Sequence, residues 1–139
     1  MFPPPRPWKQ VSETDPEREY VAFTSRFMLK SPLRVPAFMR HSFKIMNQAN
    51  AAPGIVGWSL AANLPKLEFH TLSAWEDIDS LRAFVATGVH GDALARFEGD
   101  MRADSIFVNF KVLGKDLPLR WPDAIALQDA RRTRSAASN

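Results

Sequence analysis

Three histidines are the side chains of this sequence that could exchange protons near neutral pH. His90 comes just before a short amphipathic helix predicted from about residue 91, on the same apolar stripe as Leu94 and Phe97. An imidazole in an apolar cleft can have its pKa tuned for acid, base or hydrogen-bonding work, so His90 is the first catalytic candidate. The alternative is a histidine that only bonds to the backbone where the helix begins.

The other two histidines have simpler interpretations. His70 lies on a predicted strand, on the same face as Glu68 and Leu72. It is either a structural residue whose ring nitrogens are hydrogen-bonded within the protein or a substrate contact. His41 lies near the edge of the apolar stripe of a predicted helix, where we expect it to face water. The histidines have no metal-ligand spacing and the chain has no cysteine, so neither a metal site nor a disulfide is expected.

Two polar residues alternate with apolar ones on predicted strands and could point a hydrogen-bond donor into a cleft. Arg26 does so on the first long strand and Asn109 on the last, and either could polarise a bound substrate. Large aromatic side chains could form the walls of that cleft, although core packing is the competing interpretation. The candidate substrate contacts are Phe38, Trp58, His70, Trp75, Phe84 and Phe97.

Motifs for several common reactions are absent from the sequence. It contains no phosphate-binding Walker A loop, no dinucleotide glycine fingerprint and no Gly-x-Ser-x-Gly elbow. Nucleotide binding and serine-dependent hydrolysis therefore have no support.

The periodicity of apolar residues predicts the elements that would position these side chains. Alternation predicts strands, and spacings of three and four predict helices. The predicted elements are a strand over 20–30, a helix over 34–50, a strand over 55–62, a strand that follows the turn at 63–66 and ends at Trp75, a helix from 78 and a strand over 105–113. This β-α-β-β-α-β order predicts an α+β, ferredoxin-like fold with a four-stranded antiparallel sheet and its helices on one face.

Both ends of the chain fall outside this pattern. Residues 1–19 are rich in proline and are expected to form an extended arm, in which Trp8 could dock on the body or on a partner. Residues 20–128 are expected to form one domain that includes a docking segment anchored by Trp121. Residues 129–139 are expected to be a disordered basic tail.

The first and last long strands carry apolar residues on both faces, so the sheet face without helices must also be covered. Face-to-face pairing of two sheets in a homodimer would cover it. Burial of apolar side chains, at about 25 cal/mol per Å², would drive that association.

The composition limits the partners that we expect. The formal net charge is +3 over 139 residues, and the last eleven residues contribute +2 of it through three arginines and one aspartate. Because the remainder is nearly neutral, we expect no specific nucleic-acid binding. No apolar run approaches the roughly 20 residues of a membrane span, and no signal peptide is evident, so we expect no membrane association and a cytoplasmic location.

One stretch resembles a known family. Trp75-Glu76-Asp77, followed by Ser80-Leu81 and Phe84, is similar to the third strand and second helix of the dimeric α+β barrel superfamily, particularly its antibiotic-biosynthesis-monooxygenase-like family. The resemblance covers roughly residues 20–113. It implies a homodimer and a range of activities that includes cofactor-independent oxygenation and isomerisation, and some of these proteins have no known activity.

The haem-degrading branch of that superfamily carries three functional residues that this sequence lacks. The matching positions are Ser25, Phe84 and Leu94. Leucine cannot be an axial ligand, so the resemblance implies no haem unless His90, one helical turn earlier, substitutes, and we expect no cofactor.

Two functions from different classes remain. The first is an enzyme that binds a small hydrophobic or aromatic molecule between helices and sheet, with His90 as base and Arg26 or Asn109 polarising the substrate. It would be a monooxygenase-like protein that needs no cofactor, or an isomerase. The second is a non-catalytic small-molecule-binding or structural dimer. An open cleft with converging polar groups would favour the enzyme.

Overall fold

The computed structural model describes residues 5–86, 92, 96–102 and 104–138. Its strands and long helices, in chain order, are β1 Lys9–Gln10, β2 Glu19–Met28, α1 Val35–Asn50, β3 Ile55–Asn63, β4 Glu68–Trp75, α2 Ile78–Ala86, β5 Ile106–Leu113 and α3 Trp121–Ser138. Each predicted long strand, and each of the first two predicted helices, lies close to its expected limits. His90 lies outside the described residues, as do residue 91 and residues 93–95 of the short helix predicted to begin there.

The sheet is antiparallel throughout and has the strand order β1-β3-β4-β2-β5. Its four long strands have the order and connections of a ferredoxin-like fold, which confirms the predicted α+β class. The sheet has a fifth strand, β1, whereas the sequence predicts four strands. This strand comes from the N-terminal arm, where Lys9 pairs with Trp58 and Gln10 with Gly57 along the edge of β3.

Helices α1 and α2 pack on one face of the sheet, as predicted. Ala49 of α1 and Phe84 of α2 are buried together with Trp75 of β4 in one apolar core. Asp77 caps the start of α2, because its Oδ1 accepts a hydrogen bond from the Ser80 amide at 2.8 Å. That bond holds the pKa of the exposed Asp77 carboxyl below its usual value.

The opposite face of the sheet is covered by the two ends of the same chain. Trp8 of the arm packs on the buried Val56 and Ala74. Helix α3 packs over β2 and β5, and its first residue, Trp121, donates from Nε1 to Ser59 Oγ at 3.0 Å. This is the face that the sequence assigns to a second sheet, so a single chain already covers part of it.

Helix α3 runs further than the sequence predicts. Residues 129–138, expected to form part of a disordered tail, continue the helix that begins at Trp121. Alanine and arginine are strong helix formers, and they dominate this segment. Ala124 and Gln128 are buried and hold the first half of α3 on the sheet.

Replacing Gly57 by alanine tests how the arm is held. A Cβ atom there would lie 2.5 Å from the Trp8 ring, so the arm must shift to admit it. We expect trypsin to cleave the Gly57→Ala variant after Lys9 faster than the wild type, in a time course followed by mass spectrometry. Gly99→Ala is the matched control, because a Cβ at Gly99 meets no described atom within 4 Å. Equal cleavage of the two variants would contradict this packing.

Candidate functional site

A cavity of about 560 Å³ lies between the helix-bearing face of the sheet and helices α1 and α2. Side chains that alternate toward the helices along β2, β3 and β4 form its floor. Its aromatic walls comprise Phe23, Phe27, Phe38, Phe43, Trp58, Phe69, Trp75, Phe84, Phe97 and Phe107. All five aromatic residues that the sequence predicts as substrate contacts border this cavity. A space of this size and lining is typical of a site for a small apolar ligand.

Phe38 of α1 is the centre of an aromatic cluster in this wall. Its ring stacks on Phe27 with the centroids 4.7 Å apart, and its centroid lies 4.6 Å from that of Phe69. Phe97 meets it edge-on at 5.4 Å. These separations are those of favourable aromatic pairs, so ring packing stabilises this wall without a ligand.

Both cavity tryptophans have their polar atoms satisfied within the protein. Trp58 donates from Nε1 to Asn50 Oδ1 at 2.8 Å, and Trp75 donates to Ser73 Oγ at 2.9 Å. Trp75 also packs on Phe84, with the ring centroids 5.0 Å apart. Each indole N–H therefore has an acceptor already, and Trp75 and Phe84 belong to the core as well as to the wall.

Two hydroxyl groups stand together in the floor of the cavity. Ser25 of β2 and Thr71 of β4 are directly opposed in the register of the sheet, and their oxygens are 2.6 Å apart. Either hydroxyl can donate to the other, which leaves one hydroxyl proton for a third group. Ser25 is buried, so that proton can hold a carbonyl or phenol oxygen in surroundings where hydrogen bonds are strong.

His41 of α1 borders the same cavity, which makes it a candidate that the sequence does not predict. Its ring meets Phe97 edge-on at 5.3 Å, and its Nδ1 atom is buried without a hydrogen-bond partner in the described part of the chain. Burial lowers the pKa of this imidazole, and the charges of Arg96, Lys44 and Arg40 lower it further. The neutral ring is therefore favoured, and it can accept a proton.

The spacing of α1 contains a signal for this position of His41. The histidine comes three residues after Phe38 and four before Ile45, and both of these residues border the cavity. A side chain at those two spacings shares their helix face. The neighbouring Arg40 is exposed, which is why the sequence also suits a solvent-facing histidine.

The sequence candidates for polarising a substrate do not border the cavity. Alternation along β2 directs Ser25 toward the cavity and Arg26 toward α3, which corrects the expected position of Arg26. Asn109 lies on the cavity side of the sheet, opposite Phe23, but it is exposed on the edge strand β5. His90 lies outside the described residues, so its catalytic role stays a prediction.

Arg26 takes part in a buried polar cluster between the sheet and α3. Its Nε donates to Gln128 Oε1 at 3.0 Å, and its Nη2 donates to Asp129 Oδ1 at 2.9 Å. Gln128 is fully buried, and its amide donates to Thr24 Oγ1 at 2.8 Å. Because an unpaired buried guanidinium is costly, these acceptors stabilise the position of α3. No sequence motif marks Gln128 for this role.

The side chain of His70 joins this polar cluster, although residue 70 is also one of those that border the cavity. Its imidazole is buried, and Nδ1 donates to Gln128 Oε1 at 3.3 Å. Its Nε2 lies 3.5 Å from a Glu68 carboxylate oxygen and makes no hydrogen bond with the described residues. Burial lowers the pKa of His70, and the Arg26 charge lowers it further, against the opposing effect of Glu68. This placement matches the structural alternative considered for His70.

The described residues contain no group of three or more histidine, aspartate or glutamate side chains that could hold a metal ion. None of their helices has the length and apolar character that crossing a membrane requires. The polar groups that border the described cavity include the Ser25–Thr71 hydroxyl pair, His41 and Arg6.

The ferredoxin-like sheet, the helices on one face and the apolar cavity between them define the fold of antibiotic-biosynthesis-monooxygenase-like proteins. The resemblance that begins at Trp75-Glu76-Asp77 is thus confirmed at the level of the fold. Comparison with protein-family models and with curated proteins finds no match.

Solved structures supply the likeness. SnoaB, a cofactor-independent oxygenase from Streptomyces nogalater, is 18% identical over 73% of this chain and 99% of its own, with a TM-score of 0.56. A Nitrosomonas europaea protein, provisionally assigned as an antibiotic biosynthesis monooxygenase, is 14% identical over 75% and 96% of the two chains, with a TM-score of 0.59. Rv0793 from Mycobacterium tuberculosis is 15% identical over 73% and 96%, with a TM-score of 0.59. Identities this low establish the shared fold alone.

Replacing Gln128 by leucine tests the buried polar cluster. The change leaves the Arg26 guanidinium with one acceptor fewer and removes a partner from both Thr24 and His70. We expect the free energy of unfolding in urea to fall by about 3 kcal/mol. Asp129→Ala is the control, because that carboxylate is 60% exposed and its loss should cost less than about 1 kcal/mol. Comparable losses in both variants would show that Gln128 is not the central acceptor.

The buried His70 predicts that stability falls in mild acid. Its pKa is lower in the folded chain than the ordinary value of 6.5, so the unfolded state binds more protons below that pH. The contribution of His70 to the free energy of unfolding is fully present above pH 6.5. It declines as the pH falls, by at most about 1.4 kcal/mol per pH unit, until the pKa of the folded state is reached. Urea unfolding measured at a series of pH values should give a smaller slope for His70→Asn. An unchanged slope would exclude His70 as a source of the effect, and His41→Asn measures the parallel contribution of His41.

Proposed function

We propose that this chain binds a small hydrophobic, aromatic molecule in the cavity and acts on it as a cofactor-independent oxygenase. The observation that carries the proposal is a cavity of about 560 Å³ whose aromatic walls enclose a hydroxyl pair and a histidine. SnoaB, which has the same fold, is a cofactor-independent oxygenase. At 18% identity that likeness supports the architecture, and the activity rests on the cavity itself.

His41 is the base that the described geometry favours. Its neutral ring can take a proton from an acidic C–H group beside a carbonyl of the ligand. The hydroxyl proton of Ser25 or Thr71 can then stabilise the negative charge on the ligand oxygen. A carbanion stabilised in this way can pass an electron to dioxygen, and recombination followed by loss of water converts the CH₂ group to a ketone. Isomerisation would use the same proton abstraction without oxygen.

Non-catalytic binding is the second candidate function. Arg6 is the one permanently charged side chain along the described walls of the cavity, and no carboxylate borders it. A cavity with so few polar groups can hold an apolar ligand without acting on it. In that case His41 only packs against Phe97.

The homodimer expected from the sequence is part of the proposal. Trp8 and α3 occupy part of the sheet face that would pair with a partner, so dimerisation through the whole of that face would displace α3. Phe107 and Leu113 are exposed apolar side chains of β5, an edge strand of the sheet. A monomer in sedimentation experiments at micromolar concentration would remove the dimer from the proposal.

Ligand binding can be located with 5-fluorotryptophan. The chain has four tryptophans, of which Trp58 and Trp75 border the cavity while Trp8 and Trp121 do not. We expect 1-naphthol to shift the fluorine resonances at positions 58 and 75 and to leave those at 8 and 121 in place, because ring-current effects act at short range. Single Trp→Phe variants assign the four signals. Shifts confined to positions 8 and 121, or none at all, would contradict binding in the cavity.

Turnover can be separated from binding with the variant His41→Gln. The probe is anthrone, whose CH₂ group forms a stabilised carbanion. We expect the wild type to consume oxygen with anthrone and His41→Gln to do so about a hundredfold more slowly, while the fluorine shifts persist. His90→Gln is the matched comparison, and a loss confined to it would make His90 the base. Shifts without oxygen consumption in the wild type would favour the non-catalytic function.

A further inference from the structure

A second depression lies beside the cavity and shares part of its border. This arm groove has a volume of about 520 Å³. It is bordered by Arg6, Pro7 and Lys9 of the arm, by Phe43, Met46, Asn47 and Asn50 of α1, and by Trp58 of β3. Arg6, Phe43, Met46 and Trp58 border both spaces. A ligand that fills the cavity therefore has the arm groove as its immediate neighbour.

The arm groove is electropositive. Arg6 and Lys9 contribute two cationic side chains, and Asn47 and Asn50 contribute amides. None of the described residues that border the groove is acidic. The ion pairs among the described residues involve neither Arg6 nor Lys9. Two cations without an acidic neighbour at the rim of an apolar cavity attract an anionic group.

Arg6 is held at the border by its backbone. Its N–H donates to the Leu60 carbonyl at 2.9 Å, and its own carbonyl accepts from Ser59 Oγ at 2.6 Å. Its guanidinium lies over the Phe43 ring, 4.8 Å from the centroid. A guanidinium stacked on a ring keeps its N–H edge for a planar anion, and a carboxylate fits that edge with two parallel hydrogen bonds.

We propose that the arm groove binds the carboxylate of an amphipathic ligand whose apolar part fills the cavity. Arg6 binds the carboxylate directly, and Lys9 adds to the attraction. The inference rests on the proposed function, because it requires an occupied cavity. It narrows the ligand class to hydrophobic, chiefly aromatic, carboxylic acids.

The test compares 1-naphthaleneacetate with 1-naphthaleneacetamide, which has nearly the same shape and no charge. Isothermal titration at low salt should show the acid binding about threefold to tenfold more tightly, and added salt should reduce the difference. Arg6→Gln should abolish the preference, and Arg6→Lys should keep part of it because the charge remains. Lys115→Gln, an exposed lysine that borders neither space, should leave the preference intact.

The outcomes separate this inference from the proposed function. Equal affinities for the acid and the amide, or a preference that survives Arg6→Gln, would overturn the anion site and leave binding in the cavity standing. If neither compound binds, the proposed function fails together with the inference. Arg6 is exposed and its backbone makes the contacts to β3, so the variants are expected to fold. Fluorine resonances of Trp58 and Trp75 that match those of the unliganded wild type would verify this.

Discussion

The hydrogen bond between Arg26 and Gln128 joins the two layers on the far side of the sheet. Arg26 is only 6% exposed, so its guanidinium requires acceptors within the protein. Helix α3 supplies them from the consecutive residues Gln128 and Asp129. The same Gln128 side chain bonds Thr24 on β2 and His70 on β4. Without α3, these polar groups of the sheet would have no partners within the protein. Their hydrogen bonds to Gln128 thus contribute to the docking of α3, in addition to the burial of apolar side chains.

The side chains of strand β2 point alternately to the layers on the two faces of the sheet. Ser25 and Arg26 are adjacent, and the pleat directs the first to the cavity and the second to α3. Across the strand pair, Thr71 and His70 follow the same division. The floor of the cavity and the surface on which the C-terminal helix packs are therefore opposite faces of the same strands. A shift of one position in β2 would replace a hydroxyl in the cavity floor by a cation.

Local periodicity was sufficient to predict the four long strands and α1 and α2, because each of them buries a repeating face. It could not predict β1, since Lys9 and Gln10 form a strand only by pairing with β3. The alternation of side chains along β2 places Arg26 and Ser25 on opposite faces of the sheet. It does not say which of the two faces packs against the helices. The surroundings of His41 include the ring of Phe97, a residue from a distant segment, so the spacing within α1 left its environment undecided.

Arg26 and its acceptor Gln128 are 102 residues apart in the chain. At about 5–20 residues per second, a ribosome adds the glutamine roughly 5–20 s after the arginine. Strands β2, β3 and β4 end at or before Trp75, so Thr24, Arg26 and His70 are all synthesised before Gln128, the residue that bonds all three. The buried polar cluster that holds α3 on the sheet therefore cannot form until Gln128 has been synthesised.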